Sequence, residues 1–170
     1  ALSVYPFHIH LFNTLRITVC TVLGATLSSA LAAYGFARLR APGKDVIFMV
    51  LLGTMMLPYA VTMVPLFMVF SKLGWVDSFK PLIVPALFGN VFYIFLLRQF
   101  FLTIPTELED AAKIDGASFF TTYWKIMLPL VKPALASVIV FSFIGSWNNF
   151  LGPLIYINTP EKMPISLALR

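Results

Sequence analysis

The stretch Leu11–Ala37, LFNTLRITVCTVLGATLSSALAAYGFA, decides the fold class. A membrane-crossing helix needs about 20 mostly apolar residues. This stretch exceeds that, with Arg16 as its only charge. Three more stretches read the same way, giving spans at about 11–37, 46–71, 81–101 and 133–157. The second and fourth carry no charge, and the third is uncharged from Pro81 to Leu97. The expected fold is an all-α, polytopic transmembrane helix bundle in one domain, 1–170.

Composition excludes the main rivals. Of 170 residues, 59% are hydrophobic and 11% charged. Soluble domains run near ~45–50% and ~25%. Too few polar side chains remain to cover a water-facing surface, and the single Cys20 cannot make an intrachain disulfide. The net charge of +5 raises nucleic acid as a partner. The distribution argues instead for membrane topology. Arg38, Arg40, Lys44, Arg98, Lys113, Lys125 and Lys132 all lie in links on one side, against Arg16, Lys72, Lys80, Lys162 and Arg170 on the other. Basic links favour the cytoplasm, so both ends of the chain are expected outside. No basic n-region or small-residue cleavage site precedes the first span, which argues against a signal peptide.

Within the spans, Pro58 and Pro65 interrupt the second. Each removes a backbone donor, giving a kinked packing helix or a bend beside a pathway. Gly24, Ser28 and Ala32, and also Ala25, Ser29 and Ala33, repeat every four residues. Small residues at that spacing let helix backbones approach closely. His8 and His10 lack the cysteines or carboxylates of a metal site and read as an ordinary external loop.

The link from Arg98 to Pro133 is too ordered for a plain connector. Thr106-Glu107-Leu108-Glu109 after Pro105 has the form of a capping box. Glu107, Glu109 and Asp110 place negative charge in the first helical turn. Leu108, Ala111, Ala112 and Ile114 supply a small apolar face. Asp115-Gly116 ends the helix, and Ser118 can cap a second one through about Met127. The sequence thus predicts a helix–turn–helix at 105–129 on the cytoplasmic face. Its acidic, small-residue surface suits a basic groove in a partner protein better than lipid.

These residues carry a resemblance. Asp110-Ala111-Ala112, three residues, Gly116, nine residues, Ile126, one residue, Leu128-Pro129 resembles the EAA loop of ABC-importer permeases, with Asp110 where the motif's name has Glu. The run Pro105–Ser118 is similar to the carbohydrate-uptake branch of the maltose-permease, MalG-like type. So are Phe36–Lys44, Thr54–Pro58 and Gly145–Leu154. Members usually have about six spans. The resemblance therefore implies a piece lacking the first and last span.

The resemblance also implies a mechanism: a permease subunit moving sugars across the bacterial or archaeal plasma membrane by alternating access. ATP and Mg would sit on a separate ATP-binding ABC subunit. This chain lacks the G-x-x-x-x-G-K-[ST] loop, since Arg38 stands where the glycine preceding Gly43-Lys44 is required. It is expected to bind no cofactor and to be no enzyme. Glu107, Glu109, Asp110, Ala111, Ala112, Asp115, Gly116, Ile126, Leu128 and Pro129 would couple it to the ATPase. Further partners would be a second, different permease subunit and an extracellular or periplasmic sugar-binding protein. Trp147, Asn148 and Asn149 combine a stacking ring with amides, as sugar recognition requires, or tie helices together by hydrogen bonds. With Met56 and Pro58 they are the pathway candidates. An ABC permease for another solute class, such as a polyamine or a phosphate ester, is the alternative. A proton-coupled secondary transporter fits less well, because the spans hold no Asp, Glu or His.

Overall fold

The computed structural model describes residues 7–169, and every regular element among them is helical. Helix α1 (Phe7–Arg38) has no proline and runs for 32 residues. At ~1.5 Å per residue it is roughly 48 Å long, more than the hydrocarbon thickness. Its faces are inverted relative to a helix in water. Phe12, Leu15, Val19, Leu23, Leu27 and Leu31 form an exposed stripe, while Asn13, Thr14, Thr18 and Ser29 are buried. A soluble helix buries its apolar face. This one exposes its bulky aliphatic stripe and buries those polar residues beside Ile17, Ala25, Ala30, Ala33 and Tyr34.

Lys80–Thr103 is a second stretch long and apolar enough to cross a membrane, and there are up to four such spans if each bent helix pair is counted once. The helices group into two compact units, one of residues up to 25, 57–88 and from 140 onward, the other of residues 26–56 and 89–139.

The unit of residues 26–56 and 89–139 begins with the second half of α1. Ala41-Pro42-Gly43 ends that helix, and α2 (Lys44–Gly53) follows. A tight turn at Thr54–Met56 closes α2, with the Thr54 hydroxyl donating to the Leu51 carbonyl at 2.6 Å. Helix α5 (Val91–Thr103) starts at Asn90, whose Oδ1 accepts from the N–H groups of Phe92 and Tyr93. The N–H of Asn90 donates in turn to Ser29 Oγ at 3.0 Å. Gly89 before it has φ +87, which favours glycine, and an added Cβ would meet Ile94 Cδ1 at 3.2 Å. The core of the unit packs Ala30, Ala33 and Tyr34 of α1 against Ile94, Leu97 and Phe101 of α5.

Helix α6 (Glu107–Ile114) and α7 (Phe119–Thr122) follow. The chain then widens into a π turn over Tyr123–Met127 before the short α8 (Leu128–Leu130). Pro129 has no N–H to give four residues back, and the N–H of Leu128 reaches five back to the Tyr123 carbonyl. A 79° bend then leads into α9 (Lys132–Trp147).

The unit with residues 57–88 shows how differently two prolines act. Pro58 is extended at φ −61, ψ 142 and stands before α3 (Tyr59–Lys72). The expected stretch 46–71 is therefore interrupted here and not merely kinked. Proline also disfavours the helical region for the residue before it. Pro65, by contrast, sits inside α3 without ending it. Helix α4 (Lys80–Ile83) continues into a tighter turn over Val84–Phe88. There Gly24 of α1 permits close approach: a Cβ would come within 2.5 Å of Leu87 Cδ2.

Helix α10 (Leu151–Tyr156) and α11 (Ile165–Ala168) complete this unit. The loop after α3 is latched to the loop after α10 through Asp77. Its carboxylate accepts from the N–H groups of Asn158 and Thr159, the Thr159 hydroxyl and Lys162 Nζ, at 2.6–3.0 Å. Lys162 also donates to the Asp77 carbonyl. His10 is buried in α1 with Nδ1 at 2.7 Å from the Met163 carbonyl, and Asn13 donates to the Glu161 carbonyl. His8 and His10 are thus helical, contrary to the external loop expected.

Lys162, then the Thr159 hydroxyl and the two N–H groups, hold the Asp77 carboxyl well below the usual carboxylate range. The unfolded chain therefore takes up that proton at higher pH than the folded chain. Stability from the latch is complete above the ordinary carboxylate value, about 4, and is lost as pH falls below it. Asp77 is partly exposed, so screening keeps the contribution small. Thermal unfolding in detergent should show wild type losing more midpoint between about pH 5 and pH 3 than Asp77→Asn. Parallel curves would refute the latch.

Candidate functional site

The α6–α7 bracket is built by local rules, with one departure. Glu109 and Asp110 donate their N–H groups to the Thr106 carbonyl, starting α6. The Thr106 side chain makes no capping bond, so the capping box does not form. Glu109 is engaged elsewhere. Its carboxylate is turned inward, with Oε1 at 3.6 Å from Arg38 Nε, and the two side chains are 12% and 7% exposed. Arg38 Nη2 donates to the carbonyl of Phe101 at 2.7 Å and to that of Ile104. A buried opposite charge outweighs reciprocal capping, because an unpaired carboxylate in an apolar core is far more costly than an unmade cap.

The end of α6 follows a Schellman pattern. The N–H of Gly116 reaches the Lys113 carbonyl, and that of Ala117 reaches the Ala112 carbonyl. Gly116 has φ +75, and nothing lies within 4 Å of the position an added Cβ would take. Glycine is therefore required by backbone angle and not by space. Ser118 then caps α7, accepting from the N–H of Thr121 at 3.2 Å.

The candidate coupling residues divide sharply by exposure. Glu107, Asp110, Ala111, Asp115 and Gly116 are exposed, as are Leu108 and Ile114, the latter at 87%. Lys113 pairs with Asp110 at 3.2 Å across one turn. Ala112 and Glu109 are buried behind this face. Ala112 therefore does not belong to the outer apolar surface expected of it. Ile126 and Leu128 are partly buried against the core, and Pro129 is exposed. Tyr123 and Met127 between them are fully enclosed, and burial pushes the Tyr123 hydroxyl up to about 12. Most of the first half of the motif thus faces out, with Glu109 and Ala112 turned inward, and Ile126 and Leu128 pack against the core in the second half.

Arg38 and Tyr34 were missed as site residues. Tyr34 rings lie 4.8–5.5 Å from those of Phe101, Phe119 and Tyr123, so this phenol organises the base of the bracket. Arg38 was legible only as one of a cluster of basic residues. Its position in the quoted run Phe36–Lys44 was the available signal.

Asn148 is exposed and donates Nδ2 to the Ile144 carbonyl of its own helix. Asn149 Oδ1 accepts from the N–H of Gly152, fixing the start of α10, and its carbonyl accepts from Ser166 Oγ. Trp147 stacks on Phe143 at 5.3 Å. Among the described residues, neither amide side chain bonds another long helix. Met56 is 84% exposed at the turn after α2, and Pro58 is exposed before α3. Asn149 borders an open groove of about 400 Å³ whose walls include Tyr59, Phe70, Pro85 and Tyr156.

Comparison with known proteins gives these features a family. Residues 21–169 match the family described as "Binding-protein-dependent transport system inner membrane component". The arabinooligosaccharides transport system permease protein AraQ of Halalkalibacterium halodurans is 35% identical over 158 residues, 92% of this chain and 56% of that protein. The sn-glycerol-3-phosphate transport system permease protein UgpE of Yersinia enterocolitica is 38% identical over 163 residues, 96% and 57% of the two chains. The crystal structure of a bacterial ABC transporter involved in import of the acidic polysaccharide alginate superposes with a TM-score of 0.90 at 29% identity, covering 99% of this chain and 59% of that one. This chain therefore spans less than two thirds of each of these proteins. With an all-helical fold, an inverted first helix and this breadth of match, the chain belongs to the family of inner membrane components of binding-protein-dependent transport systems.

Proposed function

We propose that this chain is part of a permease subunit of an ATP-driven ABC importer, moving sugars or sugar derivatives across the plasma membrane by alternating access. The observation that carries this reading is the α6–α7 bracket in a chain of this family. The bracket is anchored from behind at Glu109 and Ala112 and bare in front at Leu108, Ala111, Ile114 and Asp115. An eight-residue helix with a defined start and a Schellman stop is short and stiff enough to act as a lever. Its exposed carboxylates at Glu107, Asp110 and Asp115 suit a basic cleft on a separate ATP-binding subunit. ATP and Mg would be held there, since this chain has no phosphate loop. Closure of the ATPase dimer would push α6 and rock the helices it is tied to.

The remaining partners are a second permease subunit, which would make a heterodimer, and an external solute-binding protein. The chain would cross the membrane several times, with the bracket at the cytoplasmic face. The pathway would run beside Met56, Pro58, Trp147, Asn148 and Asn149. Tyr59 and Tyr156 in the groove beside Asn149 offer rings and hydroxyls, which is the chemistry a sugar needs. Names of relatives support the class: arabinooligosaccharides and alginate are carbohydrates. A second reading, a polyol phosphate ester, is favoured by the similarity to the sn-glycerol-3-phosphate permease.

Two outcomes test this reading. The full-length chain in membranes should retain a sugar-importer-type ATPase subunit on purification, and an Asp110→Lys, Gly116→Trp variant should lose about tenfold or more of it, as removal of central interface residues does. Equal retention would exclude the bracket as the docking element. Asn148→Leu should lower solute uptake while the unfolding free energy stays within about 0.5 kcal/mol of wild type, since its side chain is exposed. Normal uptake would take Asn148 out of the pathway.

A further inference from the structure

We infer that Arg38 is a positioning residue, a buried strut that makes α6 move as one body with α1 and α5. The inference rests on the importer reading above and adds the part that carries the displacement. Arg38 is the last residue of α1. One nitrogen of its guanidinium satisfies the Phe101 carbonyl near the end of α5 and the Ile104 carbonyl just beyond it. Another faces the Glu109 carboxylate in the first turn of α6. Three segments thus meet on one planar, permanently charged group.

Besides Arg38, the Glu109 carboxylate accepts from the Tyr34 hydroxyl, and the remaining buried contact of α6 is apolar. Ala112 is the other buried residue of α6, and a methyl group against apolar neighbours can slide. A charged fork cannot, because each displacement strands a buried donor or acceptor. Lysine would not serve: its point charge lacks the fixed fork that reaches two carbonyls and a carboxylate at once. The strut is also incompletely closed. At 3.6 Å the Nε–Oε1 separation is too long for a hydrogen bond, and neither atom has another such partner among the described residues. Movement of α6 toward the end of α1 therefore gains a bond. Movement away separates two buried charges.

The test uses the assembled importer, with full-length chain, partner permease, ATPase and solute-binding protein in proteoliposomes. The quantity read is solute moved per ATP hydrolysed, alongside the thermal midpoint. Arg38→Met alone leaves Glu109 buried and unpaired and is expected to lower the midpoint. Arg38→Met with Glu109→Met removes both charges, and apolar replacement of a buried pair commonly restores stability. The double variant should regain the part of the midpoint owed to the stranded charge, the Phe101 and Ile104 carbonyls still lacking their donor, and should lose about threefold or more in solute per ATP, the scale of coupling lost at linking residues. Glu109→Gln, which keeps the shape, should lose part of the ratio. A double variant that keeps the wild-type ratio, whatever its midpoint, would overturn the strut, because a merely structural pair affects stability alone. Absence of ATP-driven uptake in the wild type itself would overturn the importer reading and the strut with it.

Discussion

A helix end surrounded by hydrocarbon has no water to satisfy its last carbonyls or first N–H groups. That constraint governs where this chain places its few polar side chains. Several of them stand at helix ends. Thr54 returns a hydrogen bond to Leu51 where α2 closes. Asn90 caps α5 and passes its own N–H to Ser29. Asn149 starts α10. Arg38 closes the end of α5. Breaks in the apolar stretches are tolerated because each carries its own remedy within a few residues or on a neighbouring helix.

The same rule explains the bracket. Gly116 satisfies carbonyls by a left-handed turn, and Ser118 satisfies N–H groups by its hydroxyl. With the end of α6 and the start of α7 finished internally, the outer face of α6 is not packed against the core. Its exposed carboxylates and apolar side chains are free for a partner. The inner face, with Ala112 and Glu109, is where α6 is bound to the rest of the chain. One short helix thus separates two tasks by face, which is possible because eight residues make just over two turns.

Much of this was legible in the residues. Apolar length marked the long helices, and Pro105, Asp115-Gly116 and Ser118 marked the bracket, because turn and cap chemistry is local. The capping box failed for a reason that no local reading contains. Glu109 had two offers, the N–H of Thr106 nearby and a guanidinium 71 positions earlier in the chain (109 − 38), and the buried charge prevailed. Pro58 and Pro65 look alike in sequence, yet one precedes a helix and the other lies inside one. What differs is the neighbourhood: Leu57 and the turn at Thr54–Met56 have already left the helix before Pro58 arrives. Arg38 was visible as charge and invisible as a joint, since its partners come from a helix that only tertiary packing brings near.

Polar accounting also narrows the candidates for the proposed pathway. In an apolar bundle a polar side chain is either satisfied within the chain or aimed at something polar outside it. Asn13, Thr14, Ser29, Asn90 and Asn149 are accounted for by carbonyls and N–H groups of the fold. Asn148 is different. Its Nδ2 donates to Ile144, which fixes the amide on its helix and leaves Oδ1 presented at the surface. A fixed acceptor in an apolar stretch is poor for packing and good for meeting a hydroxyl. Of the amides read from the sequence as sugar contacts, Asn148 is therefore the one whose chemistry the fold does not consume, while Asn149 shapes the α10 wall of the groove that aromatic rings line.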